Sequence, residues 1–534
     1  MKVSICQINP SVGAINHNYK KIIKFYKKSI LSGADIVIFP ELSITGYPPK
    51  DLLFEKNFID TNLMYAEKLS KISTKPIIFG YVSRNKGKLY NSAGISFNGE
   101  LRYVYYKKLL PNYDVFDENR YFSNGKDVGV YKLIYNNIEI KIGLQICEDL
   151  WDDNQDVKVS EEQKENGAEI LINISASPFS EGKLEKRIEL IKTKIKELKL
   201  PFIYCNMVGA QDEIIFDGSS LVFSNDGKLI NQSEYFKECI SIINLKMKKS
   251  CTMIFQKREM KIFNALCLGV SDYFSKTGYK KAVLGLSGGI DSALTSVIAV
   301  EALGSNNVHG VLLPSKYSSD HSLKDAEILA SNLKIDYRII SIQKSVDVLL
   351  NSLKQEFLGQ EKDTTEENIQ SRVRGNILMA LSNKFGWLLL TTGNKTEIAL
   401  GYCTLYGDMN GGLAVISDVN KLDVYALSRW YNKRNNNLIP INSINKFPSA
   451  ELSYNQKDPF DYKIISPLVD SIIENKVILE ELVTEKVDLK FIKSIYKKIK
   501  INEFKRYQST VGLKISDKAF GVGRRFPVVN NFNI

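Results

Sequence analysis

The sequence predicts two layered α/β domains in tandem. Three observations lead there. The chain has 534 residues, more than one hydrophobic core can serve, since single cores stop growing at roughly 250–300 residues. Residues 1–245 alternate short β-branched runs with amphipathic helical stretches, and a second alternation of the same kind starts at residue 259. Strands that alternate with helices favour mainly parallel pairing.

In the first half the runs VSICQI, ADIVIFP, KPIIFGYV, IEIKIGLQIC, AEILINIS and PFIYCNMV read as strands, and NYKKIIKFYKKSILSG reads as a helix between two of them. Residues 246–258, LKMKKSCTMIFQK, are basic and weakly patterned, and are expected to be the linker. Residues 259–534 open with the helix KIFNALCLGVSDYFSKTG, followed by the strands KAVLGL, HGVLLP and later GWLLLTTG. No internal repeat or low-complexity tract interrupts either half.

Composition removes several classes of function. Hydrophobic residues make up 44% of the chain, but no run approaches the roughly 20 apolar residues a membrane span needs. The N-terminus MKVSICQINPSVG reads as a strand and a turn, without the features of a secretory signal, so a cytoplasmic protein is expected. Seven cysteines, scattered and without a CxxC pair, point to reduced thiols and away from a zinc site. The net charge of +12 comes mostly from lysines spaced along amphipathic helices, which makes them solvated faces and not a nucleic-acid surface. Three isolated histidines, His17, His309 and His321, argue against a histidine metal centre or a Ser-His-Asp triad.

Three strand ends of the first half each carry a different polar residue: Glu41 in VIFPELSITGYPP, Lys107 in VYYKKLLPNYDVFDENRYF, and Cys147 in IGLQICEDLW. A thiol needs a base to become a thiolate, and a carboxylate can serve where no histidine is at hand. An ammonium group would stabilise the charge that develops on an attacked carbonyl oxygen. Taken singly, Cys147 also reads as a buried small hydrophobe, Glu41 as a helix-capping acid and Lys107 as a surface charge.

Together the three segments resemble the nitrilase, or carbon–nitrogen hydrolase, superfamily over most of residues 1–245. The resemblance implies an α-β-β-α sandwich with Glu41 as general base, Cys147 as the nucleophile that forms a thioester, and Lys107 as oxyanion stabiliser. Lys107 is preferred over its neighbour Lys108 by its spacing to Pro111. PNYDVFDENRYF and NISASPFSEGK resemble the glutaminase branch, which implies glutamine contacts at Tyr113, Ser177 and Lys183. Glu148 follows the nucleophile and is a competing base. As the next residue on the strand its side chain is expected to point to the opposite face, away from the sulfur, which favours Glu41 as the base.

In the second half KAVLGLSGGIDSALTSVIAVEAL reads as a strand, a tight glycine loop and a helix. Glycines let backbone N–H groups turn toward phosphate oxygens, and the helix N-terminus favours an anion. The loop is neither GxGxxG nor the Walker pattern, whose lysine is absent, and Asp291 stands within it. An acid inside an anion site suggests Mg²⁺. Strand–glycine–helix turns also occur without any ligand.

SGGIDS is similar to the pyrophosphate loop of the ATP pyrophosphatases of the adenine-nucleotide α-hydrolase type, whose domain is Rossmann-like with a parallel sheet. LLPSKYSSDHSLKDAEILA, EENIQSRVRGNILMALSN, LLLTTGNKTEIALGYCTLYGDMNGG and KRYQSTVGLKISDKAFGVGRRFP resemble the NAD synthetase family within that group, and the whole chain resembles its glutamine-dependent form. The resemblance implies ATP binding by Gly285, Leu286, Ser287, Gly288, Gly289, Ile290, Asp291, Ser292 and Thr392. It implies Mg²⁺ at Asp291 and Glu397, deamido-NAD contacts at Asn368, Glu397 and Lys514, and a homo-oligomer formed through the synthetase domain. Two stretches depart from that family: the Arg-Pro that commonly follows SAEL is Ser453-Tyr454, with an altered acidic stretch downstream, and the usual double proline before Gly512 is Thr510-Val511.

The two halves together imply a ligase. Glutamine would yield ammonia in the first domain, and ATP would adenylylate the carboxylate of deamido-NAD in the second, with ammonia shielded from protonation on the way. Rival readings are another glutamine- and ATP-dependent amidating or tRNA-modifying enzyme of the same group, an amidohydrolase with an inert second half, and a non-catalytic nucleotide-binding module. No sulfur-handling cysteine pair or RNA-binding appendage supports the tRNA reading, the intact SGGIDS and TTGNKTE motifs weigh against an inert second half, and a non-catalytic module would leave Glu41, Lys107 and Cys147 without purpose.

Overall fold

The computed structural model describes residues 1–153, 155–245, 250–474 and 478–532. The chain divides into two compact units, Met1–Gln256 and Lys257–Ile534. Of the expected linker, residues 246–249 lie outside the described residues. The rest of it up to Gln256 packs on the first unit, where the Cys251 N–H donates to Leu229 O and the Ile254 N–H to Gln232.

The first unit contains two six-stranded sheets. One runs in the order Cys239–Asn244, Lys2–Gln7, Ile36–Ile38, Ile77–Asn85, Lys88–Phe97, Glu100–Tyr106. The other runs Leu229–Gln232, Leu221–Phe223, Phe202–Asn206, Ile170–Ser175, Ile138–Ile146, Val130–Tyr135. Period-two alternation assigns each side chain to a layer. Val3, Ile5, Ile36 and Ile38 from the first sheet meet Ile142, Leu144, Ile172 and Ile174 from the second in one buried core. Their neighbours Cys6, Val37 and Phe39 face outward and pack on helices Ile15–Leu31 and Lys56–Ile72. Leu171, Phe202 and Tyr204 face the other way, onto helix Lys183–Leu198.

The helices read as the sequence suggests. Buried positions 15, 18, 22, 26 and 29 of the first follow a three–four spacing, as do Leu184, Ile188, Ile191, Ile195 and Leu198. Each such apolar side chain contributes roughly 1.5–3 kcal/mol when buried, which holds a helix on a sheet that its own propensity would not hold. The result is the α-β-β-α sandwich.

The second unit is built on a five-stranded sheet in the order Asp336–Ile339, Val308–Leu312, Ala282–Gly285, Leu388–Thr391, Leu413–Ala414, with every pairing parallel. The chain moves outward to one side of Ala282–Gly285 and then returns to pair Leu388–Thr391 on its other side. That reversal places a crevice at the carboxyl end of the central strand, where ligands bind in open parallel sheets. Beyond Leu413–Ala414 the chain adds one more contact, with Val511 O accepting from the Ala414 N–H and the Leu513 N–H reaching Ala414 O. This pairing uses no N–H of residues 510 or 511, so the loss of two prolines there leaves it intact.

Candidate active sites

In the first unit Glu41, Lys107 and Cys147 lie just past the ends of strands Ile36–Ile38, Glu100–Tyr106 and Ile138–Ile146. The Glu41 loop crosses close over strand Ile77–Asn85. A Cβ on Gly80 would stand 2.2 Å from Leu42 N, so only glycine admits the approach. Lys107 Nζ is 2.8 Å from Glu41 Oε1 and 2.8 Å from Glu118 Oε1, and all three side chains are buried. The Asn91 amide donates to Glu41 Oε1 at 2.7 Å, the Ala176 N–H donates to Glu41 Oε2 at 2.8 Å, and the Tyr47 hydroxyl donates to Glu118 at 2.9 Å.

Burial alone would lower the Lys107 pKa, but Glu118 and Glu41 overcome it and hold the ammonium charged. Glu118 is pushed up to about 7 by burial, against the pull of Lys107. The Cys147 thiol is raised well above its ordinary value, first by burial and then by Glu41. Cys147 therefore rests as a thiol, and would need its proton removed to act as a nucleophile.

Residues 147–150 form a 3₁₀ turn that Cys147 enters with φ of +44°. This corrects the placement of Glu148. It does not continue the strand to the opposite face. The turn buries it on the site side, where both its carboxylate oxygens accept from the Tyr113 hydroxyl at 3.1 Å, and its charge acts on Cys147. Asp149, one residue on, is a buried clamp. Its Oδ1 accepts from the N–H groups of Lys108 at 3.0 Å and Leu109 at 2.9 Å, and its Oδ2 accepts from Ile146 N–H and Tyr105 hydroxyl, both at 2.9 Å. One carboxylate thus ties the backbone beside Lys107 to the backbone beside Cys147.

Lys183 places its Nζ 4.0 Å from the centre of the Trp151 ring. Burial first, and Arg187 second, lower its pKa to about 8, while Cys147 and Glu148 pull the other way. Ser177 is buried, and its hydroxyl accepts from Arg187 Nε at 3.1 Å.

In the second unit the loop after strand Ala282–Gly285 turns through Gly288 at φ of +72°, where a Cβ would meet Ser322 O at 2.2 Å. Ser287 Oγ accepts from the Gly289 N–H at 3.1 Å, and the Ser292 hydroxyl donates to Gly289 O at 3.0 Å. The Ser443 hydroxyl holds Gly288 O at 2.8 Å. Thr392 follows directly on strand Leu388–Thr391, and Glu397 lies in the first turn of helix Lys395–Leu400.

Asp291 and Glu397 come together on a residue the sequence reading missed. Lys421 Nζ is 2.6 Å from Asp291 Oδ2 and 3.0 Å from Glu397 Oε1. The Asn394 amide donates to Asp291 Oδ1 at 2.8 Å. Burial pushes Glu397 up to about 7 despite Lys421, and Asp291 adds to the rise. Two carboxylates converging on one cation's position, beside a phosphate-type loop, are a hard-oxygen donor set that fits Mg²⁺. Among the described residues no group of three or more His, Cys, Asp and Glu side chains could hold a metal. Asn368 accepts from the Thr404 hydroxyl at 2.7 Å, and Lys514 Nζ donates to the carbonyls of Ser516 at 2.8 Å and Asp517 at 3.0 Å.

Glu118 was within reach of sequence reasoning, because it lies in the same quoted stretch as Lys107 and Tyr113. Lys421 had a weaker signal. It is the first residue of helix Lys421–Arg434, an end where a cation is disfavoured unless carboxylates hold it.

The fold and these two sites define a two-unit chain that pairs a thiol amidohydrolase centre with a nucleotide-binding centre. Family models match the two units in turn: carbon–nitrogen hydrolase over residues 2–251 and NAD synthase over residues 262–509. Glutamine-dependent NAD(+) synthetases of Thermotoga maritima and Synechocystis sp. are each 40% identical to the chain, over 100% and 99% of it and 99% of either relative. The structure of the glutamine-dependent NAD+ synthetase of Acinetobacter baumannii in complex with ADP matches with a TM-score of 0.79 at 34% identity, covering 99% of this chain and 98% of that one. The chain belongs to the family of glutamine-dependent NAD(+) synthetases.

Proposed function

We propose that this protein is a glutamine-hydrolysing NAD+ synthetase, which uses ATP and ammonia from glutamine to convert the nicotinate carboxylate of deamido-NAD into the amide. The observation that carries the reading is the presence, in one chain, of the buried Glu41–Lys107–Glu118 cluster beside Cys147 and of Asp291 and Glu397 beside a glycine loop.

In the first unit Glu41 takes the Cys147 proton as the sulfur attacks the side-chain carbonyl carbon of glutamine, and Lys107 faces the developing oxyanion. The proton passes to the leaving nitrogen, ammonia departs, and a glutamyl thioester remains. Glu41 then takes a proton from water, which attacks the thioester and releases glutamate with the thiol restored. Lys183 and the Ser177 hydroxyl are the partners for the glutamine α-carboxylate, with Glu148 and Tyr113 for the α-ammonium.

In the second unit residues 285–292 and Thr392 bind ATP, and Asn368, Glu397 and Lys514 contact deamido-NAD. Asp291 and Glu397 would hold Mg²⁺, which when bound neutralises phosphate charge as pyrophosphate leaves. The deamido-NAD carboxylate attacks the α-phosphorus, pyrophosphate departs, and ammonia displaces AMP from the mixed anhydride. The N–H groups of the glycine loop and the helix it opens orient the phosphates. No described helix is long and apolar enough to cross a membrane, and the readings of a cytoplasmic enzyme and of a homo-oligomer formed through the synthetase unit belong to this proposal.

The test is direct. Purified protein with ATP, Mg²⁺, deamido-NAD and glutamine is expected to form NAD, AMP, pyrophosphate and glutamate in equal amounts. Glutamate formation without NAD would leave only the amidohydrolase reading.

A further inference from the structure

Arg187 is the largest fully buried side chain in the protein's described residues, with none of its surface exposed. A charge in that position is costly unless every donor is satisfied. Nη1 donates to both oxygens of Asp217, at 2.8 and 3.0 Å. Nη2 donates to the carbonyls of Ser177 at 3.0 Å and Pro178 at 2.8 Å, and Nε donates to the Ser177 hydroxyl oxygen at 3.1 Å. Asn206 holds the same residue from the other side, with its Oδ1 accepting from the Ser177 N–H at 3.0 Å and its amide reaching Ser177 O at 3.3 Å. Only the Asp217 pairing serves as an anchor. The remaining three donors all go to the segment 177–178.

The arrangement has a direction. A hydroxyl has one proton and two lone pairs. Arg187 Nε uses a lone pair of Ser177, which sets the hydroxyl as a donor to whatever acceptor faces it. The same segment begins just past strand Ile170–Ser175 at Ala176, whose N–H donates to Glu41 Oε2, and Arg187 lies one helical turn beyond Lys183. A planar fork is needed for this. A lysine ammonium could keep Asp217 but could not also span two carbonyls and a hydroxyl in one plane.

We infer that Arg187 is a positioning residue of the glutamine pocket, which fixes the segment 177–178 and directs the Ser177 proton toward the substrate carboxylate. The inference rests on the proposed role of Ser177 as a glutamine contact. It needs no contact between Arg187 and glutamine.

The test uses the full chain with Arg187→Lys, Ser177→Ala and the double variant, assayed for glutamine hydrolysis. Arg187→Lys is expected to raise KM for glutamine roughly tenfold or more with kcat within about threefold, the signature of lost binding common to ground and transition states. Alkylation of Cys147 by iodoacetamide, which does not use the pocket, should stay within about twofold of the parent. In the double variant KM should match that of Ser177→Ala, because two residues that act through one group are not additive. An unmoved KM in folded Arg187→Lys, additive effects in the double variant, or a parallel loss of alkylation would each overturn the inference. If Arg187→Lys melts below the assay temperature, Asp217→Asn replaces it, since it keeps the shape of the anchor and removes its charge. There a several-fold rise in KM supports the role, and an unchanged KM removes it. Absence of glutamine hydrolysis in the parent protein would count against the proposed function itself and not against Arg187.

Discussion

The ammonium of Lys107 stands 2.8 Å from the carboxylate of Glu118, as close as it stands to Glu41. Two acids on one lysine raise the question of which is the base. Glu41 accepts from Asn91 and from Ala176 N–H and is the first charge acting on Cys147, whereas Glu118 comes after Lys107 and Glu148 in that order. Glu118 instead fixes Lys107. Glu41→Gln is therefore expected to remove both glutamine hydrolysis and the reactivity of Cys147 toward iodoacetamide at neutral pH. Glu118→Gln should lower kcat for hydrolysis by roughly 10²-fold, the scale of one misplaced oxyanion donor, while the thiol still alkylates. A dead thiol in Glu118→Gln beside a reactive one in Glu41→Gln would exchange the two roles.

Glu148 has a different task. Its carboxylate is raised by burial and stays bound to Tyr113, where a charged substrate amine would find it. Glu148→Gln is expected to raise KM for glutamine roughly tenfold or more and to leave Cys147 reactive. Steady-state kinetics set beside alkylation rates check this, and loss of alkylation alone would make Glu148 part of the proton-transfer apparatus.

These residues also show where a sequence stops being readable. Glu41, Lys107 and Cys147 were legible because each closes an apolar run that had to be a strand. The α-β-β-α layering was not legible from periodicity, since Ile36, Val37 and Ile38 are buried on both faces and alternate nothing. It followed from the family resemblance. Glu148 was misplaced because a positive φ at Cys147 ends the strand abruptly, and strand alternation no longer applies. Glu118 gains its role only when Tyr47 and Asn91, from two other segments, close around it. Arg187, inside KLEKRIELIKTKIKEL, looks like any exposed cation on an amphipathic helix, and only the fold reveals Asp217 waiting beneath it.

Because the two chemistries lie in separate compact units, the nitrogen sources can be separated. Cys147→Ala is expected to abolish NAD formation from glutamine and to keep synthesis from high concentrations of ammonium salt. Loss of the ammonium-driven reaction in a folded variant would show that the nucleophile serves more than glutamine.

Lys183 gives a pH signature. With its pKa lowered to about 8, mainly by burial, it is charged below that pH and neutral above it. Its attraction for a carboxylate is present at pH 7 and lost as pH rises through 8. The kcat/KM for glutamine, which reports on the free enzyme, should fall above about pH 8 and approach a tenfold loss per unit. Lys183→Arg stays charged, so over the same range it should lose only what titration of the substrate amine imposes. Parallel profiles for parent and variant would exclude Lys183 as the titrating group.

The synthetase unit offers the sharpest separation, because its two carboxylates share one cation. Asp291 meets Lys421 at 2.6 Å and the Asn394 amide at 2.8 Å, so an asparagine at 291 keeps the size but removes one of the two negative charges that a hard divalent ion would need. Glu397 alone is then left with Lys421, a pair already neutral between them. Asp291→Asn should lower NAD synthesis by roughly 10³-fold or more with glutamine and with ammonium alike, since the defect lies upstream of the nitrogen in the activation of the carboxylate. The glutaminase unit has no carboxylate in common with this site, so residual glutamine hydrolysis should persist in the variant. Chelation of divalent ions makes the same cut without a mutation: EDTA is expected to stop AMP and NAD formation while Cys147 continues to release glutamate from glutamine. The measurement is a paired assay of glutamate and AMP across Mg²⁺ concentrations. Normal ammonium-driven synthesis in Asp291→Asn, or equal loss of both products in EDTA, would place the metal elsewhere than on Asp291 and Glu397.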